Sequence, residues 1–275
     1  MVAIKIALAQ IASKIADKKA NLEKILEFIE IAAGNKADIV VFPELALTGY
    51  VAKDLFYETA EPVPGPSTEL IAEQARKYGI DVVFGMAEES IENPGILYNT
   101  SIFIYKDGRI EKYRKIYLPD YNMFEEGRYF RPGATPKVVK TRYGKIGLAI
   151  CFDIFFPELI RYLALRGAHT IIVISASPDI SKRFFETFTL SRALENTVNM
   201  VYVNTVGNYE GFGFWGGSHI VTSRGKVIAA AKYYEEDIVY GTIDLDDWRA
   251  SRRSRPILKH FRTDIPRLLS AFPEP

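Results

Sequence analysis

The sequence predicts an α/β protein built as two similar halves. Two sheets packed face to face with helices outside would make this a four-layer α-β-β-α sandwich. Short apolar runs of strand type alternate with segments of helical period. The order strand, helix, strand, helix, strand, hairpin occurs twice along the chain. Hydrophobic residues make up 48% of the 275 positions, which suits a large core. No low-complexity stretch or linker composition splits off an independent domain, so one domain over residues 1–275 is expected.

In the first half, residues 2–10 read as a buried strand, and Leu22, Ile25, Leu26 and Ile29 fall at helical spacing with Gly34-Asn35 as a stop. Residues 38–42 form a second strand ended by Pro43, and residues 61–66 a proline-rich loop. Ser67 is the expected N-cap of a helix running to about Tyr78. Residues 81–86 give a third strand, and residues 98–105 and 109–114 alternate around Asp107-Gly108 as a hairpin. The second half has strands at 145–150, 170–174 and 199–205, helices at 157–166 and 182–196, and a hairpin around Arg224-Gly225. Residues 121–136 separate the halves. They are irregular, aromatic and charged, and so long a loop on a rigid scaffold often carries function. Residues 208–217, which include Phe212, Phe214 and Trp215, read equally as a pocket cover or a mobile surface loop.

Thirty-five basic residues against thirty-four acidic ones argue against a nucleic-acid surface, which needs a basic excess on one face. Arg252, Arg253 and Arg255 are accordingly expected in a solvated or subunit-contacting tail. His169, His219 and His260 lie far apart without metal-binding spacing. The N-terminus lacks a basic leader and a run long enough to span a bilayer, which fits a soluble cytoplasmic protein with no membrane partner. A lone cysteine excludes an internal disulfide and fits a reducing compartment.

That cysteine, Cys151, ends the strand at 145–150 and precedes a helix, where a thiol can stand near a positive helix end that favours the thiolate. Buried cysteines are also common inert filler, so the position needs partners. Two other strand ends offer them. Glu44 follows Phe42-Pro43 directly after a buried strand, and Lys115 ends the first hairpin. A turn carboxylate facing water and an ordinary basic edge are the alternatives. Together, Glu44 could serve as a base, Lys115 as an oxyanion partner and Cys151 as a nucleophile.

Phe42-Pro43-Glu44, Tyr113-Arg114-Lys115-Ile116-Tyr117-Leu118 and Cys151-Phe152-Asp153 with Phe156-Pro157-Glu158 resemble the three motifs of the nitrilase superfamily of carbon–nitrogen hydrolases. The resemblance covers most of the chain and implies an α-β-β-α sandwich with a Glu44, Lys115, Cys151 triad. It also implies a second glutamate, Glu126, selected by its spacing to Phe130, and a homodimer or larger assembly. Tyr117 stands where many members have histidine. No metal or organic cofactor is implied.

Several stretches resemble the glutaminase domain of glutamine-dependent NAD synthetase, among them residues 44–50, 118–121 and 128–130, and Ser175-Ala176-Ser177-Pro178 with Lys182-Arg183. Tyr121, Phe152, Ser177 and Arg183 are the substrate-binding candidates. Phe152 departs from that family, which has an acidic residue there to hold a substrate ammonium. No ATP-binding synthetase domain lies within these 275 residues. The expectation is a stand-alone enzyme hydrolysing a small carboxamide. A glutaminase subunit feeding a separate synthetase, nitrile hydrolysis and acyl transfer are alternatives, and a non-catalytic binding protein fits least because the whole triad is present.

Overall fold

Branched aliphatic runs at the centre of each half form parallel strands, and the turn-rich segments between them form antiparallel flanks. The computed structural model describes residues 2–269. Its strands are β1 (Ala3–Gln10), β2 (Ile39–Val41), β3 (Asp81–Glu89), β4 (Leu97–Ile104), β5 (Ile110–Arg114), β6 (Lys137–Thr141), β7 (Gly144–Ile150), β8 (Thr170–Ser175), β9 (Asn199–Asn204), β10 (Val206–Tyr209), β11 (Phe212–Trp215), β12 (His219–Val221), β13 (Val227–Ala230) and β14 (Asp237–Asp244). The helices are α1 (Lys18–Gly34), α2 (Phe56–Thr59), α3 (Pro66–Tyr78), α4 (Glu126–Tyr129), α5 (Pro157–Leu165), α6 (Lys182–Asn196), α7 (Leu245–Ser254) and α8 (Asp264–Leu269).

Two six-stranded sheets result, ordered β14-β1-β2-β3-β4-β5 and β13-β12-β9-β8-β7-β6, beside a ribbon of β10 and β11. The parallel centres run in register Ile6↔Ile39↔Asp81 and Ile146↔Thr170↔Asn199. Antiparallel β4, β5 and β14 flank the first centre, as β12, β13 and β6 flank the second. The repetition expected from sequence is therefore present in the topology. Ile4, Ile6 and Leu8 of β1 share one core with Ile146, Leu148, Val201 and Val203 of the other sheet. Ala7 and Ala9, on the opposite face of the same strand, join Ile25 and Ile29 of α1 and Ile71 and Ala75 of α3. Helices α5 and α6 cover the second sheet through Ile160, Leu163, Phe185 and Ala193. Among the described residues no helix is long and apolar enough to cross a membrane.

Four local expectations need correction. Helix α3 begins at Pro66 with Gly65 as its N-cap, not Ser67. Proline suits the first helical position, where its missing N–H is no loss. The Thr68 hydroxyl accepts from the Gly65 N–H at 2.8 Å, while the Ser67 hydroxyl donates to Glu61 at 2.9 Å. Residues 208–217 are not a mobile loop: β10 and β11 pair, and Phe214 and Trp215 are fully buried. Arg253 and Arg255 are exposed, as a solvated segment requires, but Arg252 on α7 is not: its guanidinium donates to the carbonyls of Ala164 and Thr197 at the ends of α5 and α6. Residues 121–136 are not wholly irregular, because α4 forms one turn within them.

Candidate active site

Open α/β sheets present their strand ends to ligands, and here the ends of β2, β5, β7 and β8 converge. After β2 the chain turns tightly over β3. A Cβ at Gly85 would lie 2.3 Å from the Leu45 amide nitrogen and 2.7 Å from the Glu44 Cα, so only glycine permits the crossing. Lys115 leaves β5 with its N–H donating to the Asn99 carbonyl at 2.8 Å and its own carbonyl accepting from Gly133 at 2.7 Å. Cys151 closes β7 in the left-handed region, φ 45°, a conformation that costs on the order of 1–3 kcal/mol for a residue with a side chain.

Asp153 holds that turn. Its Oδ2 accepts from the Ile150 N–H at 2.9 Å and the Tyr113 hydroxyl at 2.8 Å, and its Oδ1 from the Tyr117 N–H at 3.1 Å. One buried carboxylate thus ties the Cys151 turn to both sides of Lys115. Burial, against these hydrogen bonds, pushes its pKa up to about 6. Asp153→Asn is expected to be destabilised by about 1–3 kcal/mol, because an amide NH2 must face one of the N–H or O–H donors. A carboxyl whose folded pKa is raised gives stability that is present at low pH and lost as pH rises through the folded value. The melting-temperature gap between wild type and Asp153→Asn should therefore narrow from pH 4 to pH 7. A gap that widens would contradict this assignment.

Glu44, Lys115, Glu126 and Cys151 are 2%, 0%, 3% and 3% exposed. The Lys115 ammonium donates to Glu44 Oε1 at 2.8 Å and to Glu126 Oε1 at 2.6 Å. The Asn99 amide donates to the same two carboxylates, at 2.7 and 3.3 Å, and the Tyr50 hydroxyl donates to Glu126 at 2.7 Å. Glu44 Oε2 accepts from the Ala176 N–H at 2.7 Å, and Ser175, the residue before it, lies beside the Cys151 sulfur. Two adjacent residues at the end of β8 thereby bring carboxylate and sulfur to one place.

The electrostatics follow from burial and pairing. Burial alone would lower the Lys115 pKa, but Glu126 and Glu44 outweigh it and hold the ammonium charged. Burial and the nearby Glu44, opposed by Lys115, raise the Glu126 carboxyl to about 7. Burial and then Glu44 push the Cys151 thiol well above its ordinary value, against the pull of Lys115. The expected thiolate-favouring helix end is thus overridden: a 3-10 turn, Cys151–Phe155, intervenes before α5. The resting sulfur is a thiol.

Tyr121, Phe152 and Ser177 line a small cavity with Cys151. Arg183 does not. It is exposed on the first turn of α6 and lies outside that cavity. Asn99, Tyr50 and Asp153 were not singled out from sequence as site residues. A polar asparagine in an otherwise buried strand was the only available cue for Asn99, and Thr100 and Ser101 beside it dilute that cue.

Two β-sheets between helices, with a buried cysteine, lysine and two glutamates at their strand ends, define the class as an α-β-β-α hydrolase-type fold. Residues 5–253 match the family model for carbon-nitrogen hydrolase, and the chain belongs to that family. It is an enzyme acting on non-peptide carbon–nitrogen bonds. A probable nitrilase of Schizosaccharomyces pombe is 33% identical over 94% of this chain and 93% of its own length. The glutamine-dependent NAD(+) synthetase of Aquifex aeolicus is 35% identical over 90% of this chain, which spans only 44% of that protein. The omega-amidase NIT3 of Saccharomyces cerevisiae is 33% identical over 95% of this chain and 94% of its own. The crystal structure of S. cerevisiae Nit3 superposes with a TM-score of 0.86 and 30% identity, covering 94% of this chain and 97% of that one.

Proposed function

We propose that the protein hydrolyses a small carboxamide to its acid and ammonia through a thioester on Cys151. The observation that carries this reading is the buried ion cluster in which Lys115 joins Glu44 and Glu126 beside the Cys151 turn. Glu44 takes the thiol proton as sulfur attacks the amide carbonyl, so the thiolate exists only as it reacts. The developing oxyanion is met by the Lys115 ammonium and the Phe152 N–H. Glu44 returns the proton to the departing nitrogen, and ammonia leaves. Glu44 then activates water, which attacks the thioester and frees the acid and the thiol. Glu126 and Asn99 hold Lys115 and Glu44 in place throughout. The names of the relatives, an omega-amidase and a probable nitrilase, support the reaction class.

A glutaminase feeding ammonia to a separate synthetase is the second reading, favoured by the likeness to NAD(+) synthetase. Phe152 weighs against it, since it puts no carboxylate where those relatives hold the substrate α-ammonium. The exposed apolar side chains Tyr162 and Leu165 on α5 and Phe184 and Leu190 on α6 support assembly as a homodimer or larger. The lone free cysteine fits a cytoplasmic setting. Incubating the enzyme with an amide and quenching in acid should leave a mass increase equal to the acyl group on the peptide containing Cys151. Ammonia release without that adduct, even at low pH where thioesters persist, would refute the covalent route.

A further inference from the structure

The rings around Cys151 form an unbroken arc. Tyr121 and Phe152 lie with centroids 5.7 Å apart, Phe152 and Phe155 5.0 Å, Phe155 and Phe185 5.4 Å, and Phe124 closes the other side 5.2 Å from Tyr121. All five line the cavity that holds the sulfur. The only hydroxyls of serine type there are Ser177, which already accepts from the Trp215 indole N–H at 3.3 Å, and Ser181.

Among the described residues no charged one lines this cavity, whereas Lys53, Glu125 and Glu210 line a separate, larger one on the far side of Glu126. Lys115 serves the two glutamates. Lys182 lies over the Tyr233 ring at 3.6 Å. Arg192 stands behind the arc, donating to the carbonyls of Ile154 and Phe155 and pairing with Glu195. Arg183 is exposed on the outer surface. Among the described residues, an acyl group that enters the cavity around Cys151 meets only rings, Pro119 and two serines. The cavity measures about 10 Å³, room for about one water, so the acyl group must part the rings as it enters. Tyr121, 43% exposed, is the ring freest to swing aside.

Resting on the amidase reading above, we infer that this site is specific for amides whose acyl group is uncharged and apolar, and that it discriminates against ω-amide acids and amino-acid amides. A carboxylate placed within the arc would lose its water and gain no partner. Sites that leave a substrate charge unpaired typically reject it by a hundredfold or more.

The test compares kcat/KM of the purified enzyme for isobutyramide and phenylacetamide with that for succinamate, L-glutamine and β-alaninamide. At least one neutral amide should exceed all three charged ones by a hundredfold or more. Tyr121→Arg, which sets a cation at the exposed rim without disturbing the core, should narrow the gap for succinamate by at least tenfold. Succinamate or glutamine equal to or better than the neutral amides would overturn the inference. So would a preference for β-alaninamide, which would mark the arc as a cage for cations. If a charged amide wins while an acyl adduct still forms on Cys151, only the acyl-group inference falls. If no amide yields ammonia or an adduct, the amidase reading falls and takes this inference with it.

Discussion

Cys151→Ala is expected to lose at least about 10⁴-fold in kcat while keeping its melting temperature within a few degrees of wild type. The loss follows from removing the proposed nucleophile, since groups that act as a unit forfeit most of the rate when any one is deleted. The fold should tolerate the change. Cys151 occupies a left-handed backbone position, φ 45°, that alanine meets with similar strain, and its side chain fills little volume at the edge of the core. Steady-state ammonia release and a thermal melt check both halves of this statement. Residual turnover above about a hundredth of wild type would show that the sulfur forms no essential bond.

Lys115→Met should be severe in both activity and stability, for separate reasons. Removing an oxyanion partner typically costs about a hundredfold to a thousandfold in rate. Removing the cation also leaves Glu44 and Glu126 facing each other in a fully buried site, and breaking a buried ion pair on one side costs about 3–5 kcal/mol. The sign of the pH dependence follows. Without the ammonium that holds it down, Glu126 binds its proton more readily in the folded state, so the deficit is largest at high pH and shrinks as pH falls and it is neutralised. Adding Glu126→Gln to Lys115→Met should recover part of the stability and none of the activity. Denaturant midpoints at pH 5 and pH 8 for the single and double variants decide this. A double variant less stable than the single one at pH 8 would show that Lys115 is not there to neutralise Glu126.

Much of this was legible in the chain itself, for reasons that can be named. The run before Cys151 is strongly apolar with flanking polar residues, and α6 falls over the expected residues 182–196. Glu44, Lys115 and Cys151 stand out because each adjoins a strand end, and Glu126 because the family resemblance implies it; the structure brings the two glutamates and the lysine within hydrogen-bonding distance. What escaped was non-local. Strand β14 has a mixed, half-buried pattern with Gly241 within it, and its partner is β1 at the other end of the chain. Strand β6 is similarly mixed. In β4, Asn99 faces the glutamates while Thr100 next to it donates to Glu88, a choice set by which face the sheet packing assigns to each. Arg183 was named for its likeness to a glutamine contact. The helix carrying it buries Phe185 and Thr189, which turns residue 183 towards solvent.

The pairing of β1 with β14 has a consequence for the order of assembly. During synthesis Ile4, Ile6 and Leu8 emerge first, yet the hydrogen-bonding edge of their strand stays open until residues 237–244 have left the ribosome. The nascent chain therefore carries an unpaired apolar edge for almost the whole of its translation, the kind of edge that templates aggregation. Closing a loop between the two ends of the chain also makes this a late, slow contact. The active cluster draws on both sheets, with Glu44 and Lys115 from the first and Cys151 from the second. Premature termination just before β14 would thus leave every residue of the proposed catalytic cluster present and the first sheet unsealed, so this strand acts as the latch on a site to which it contributes no side chain.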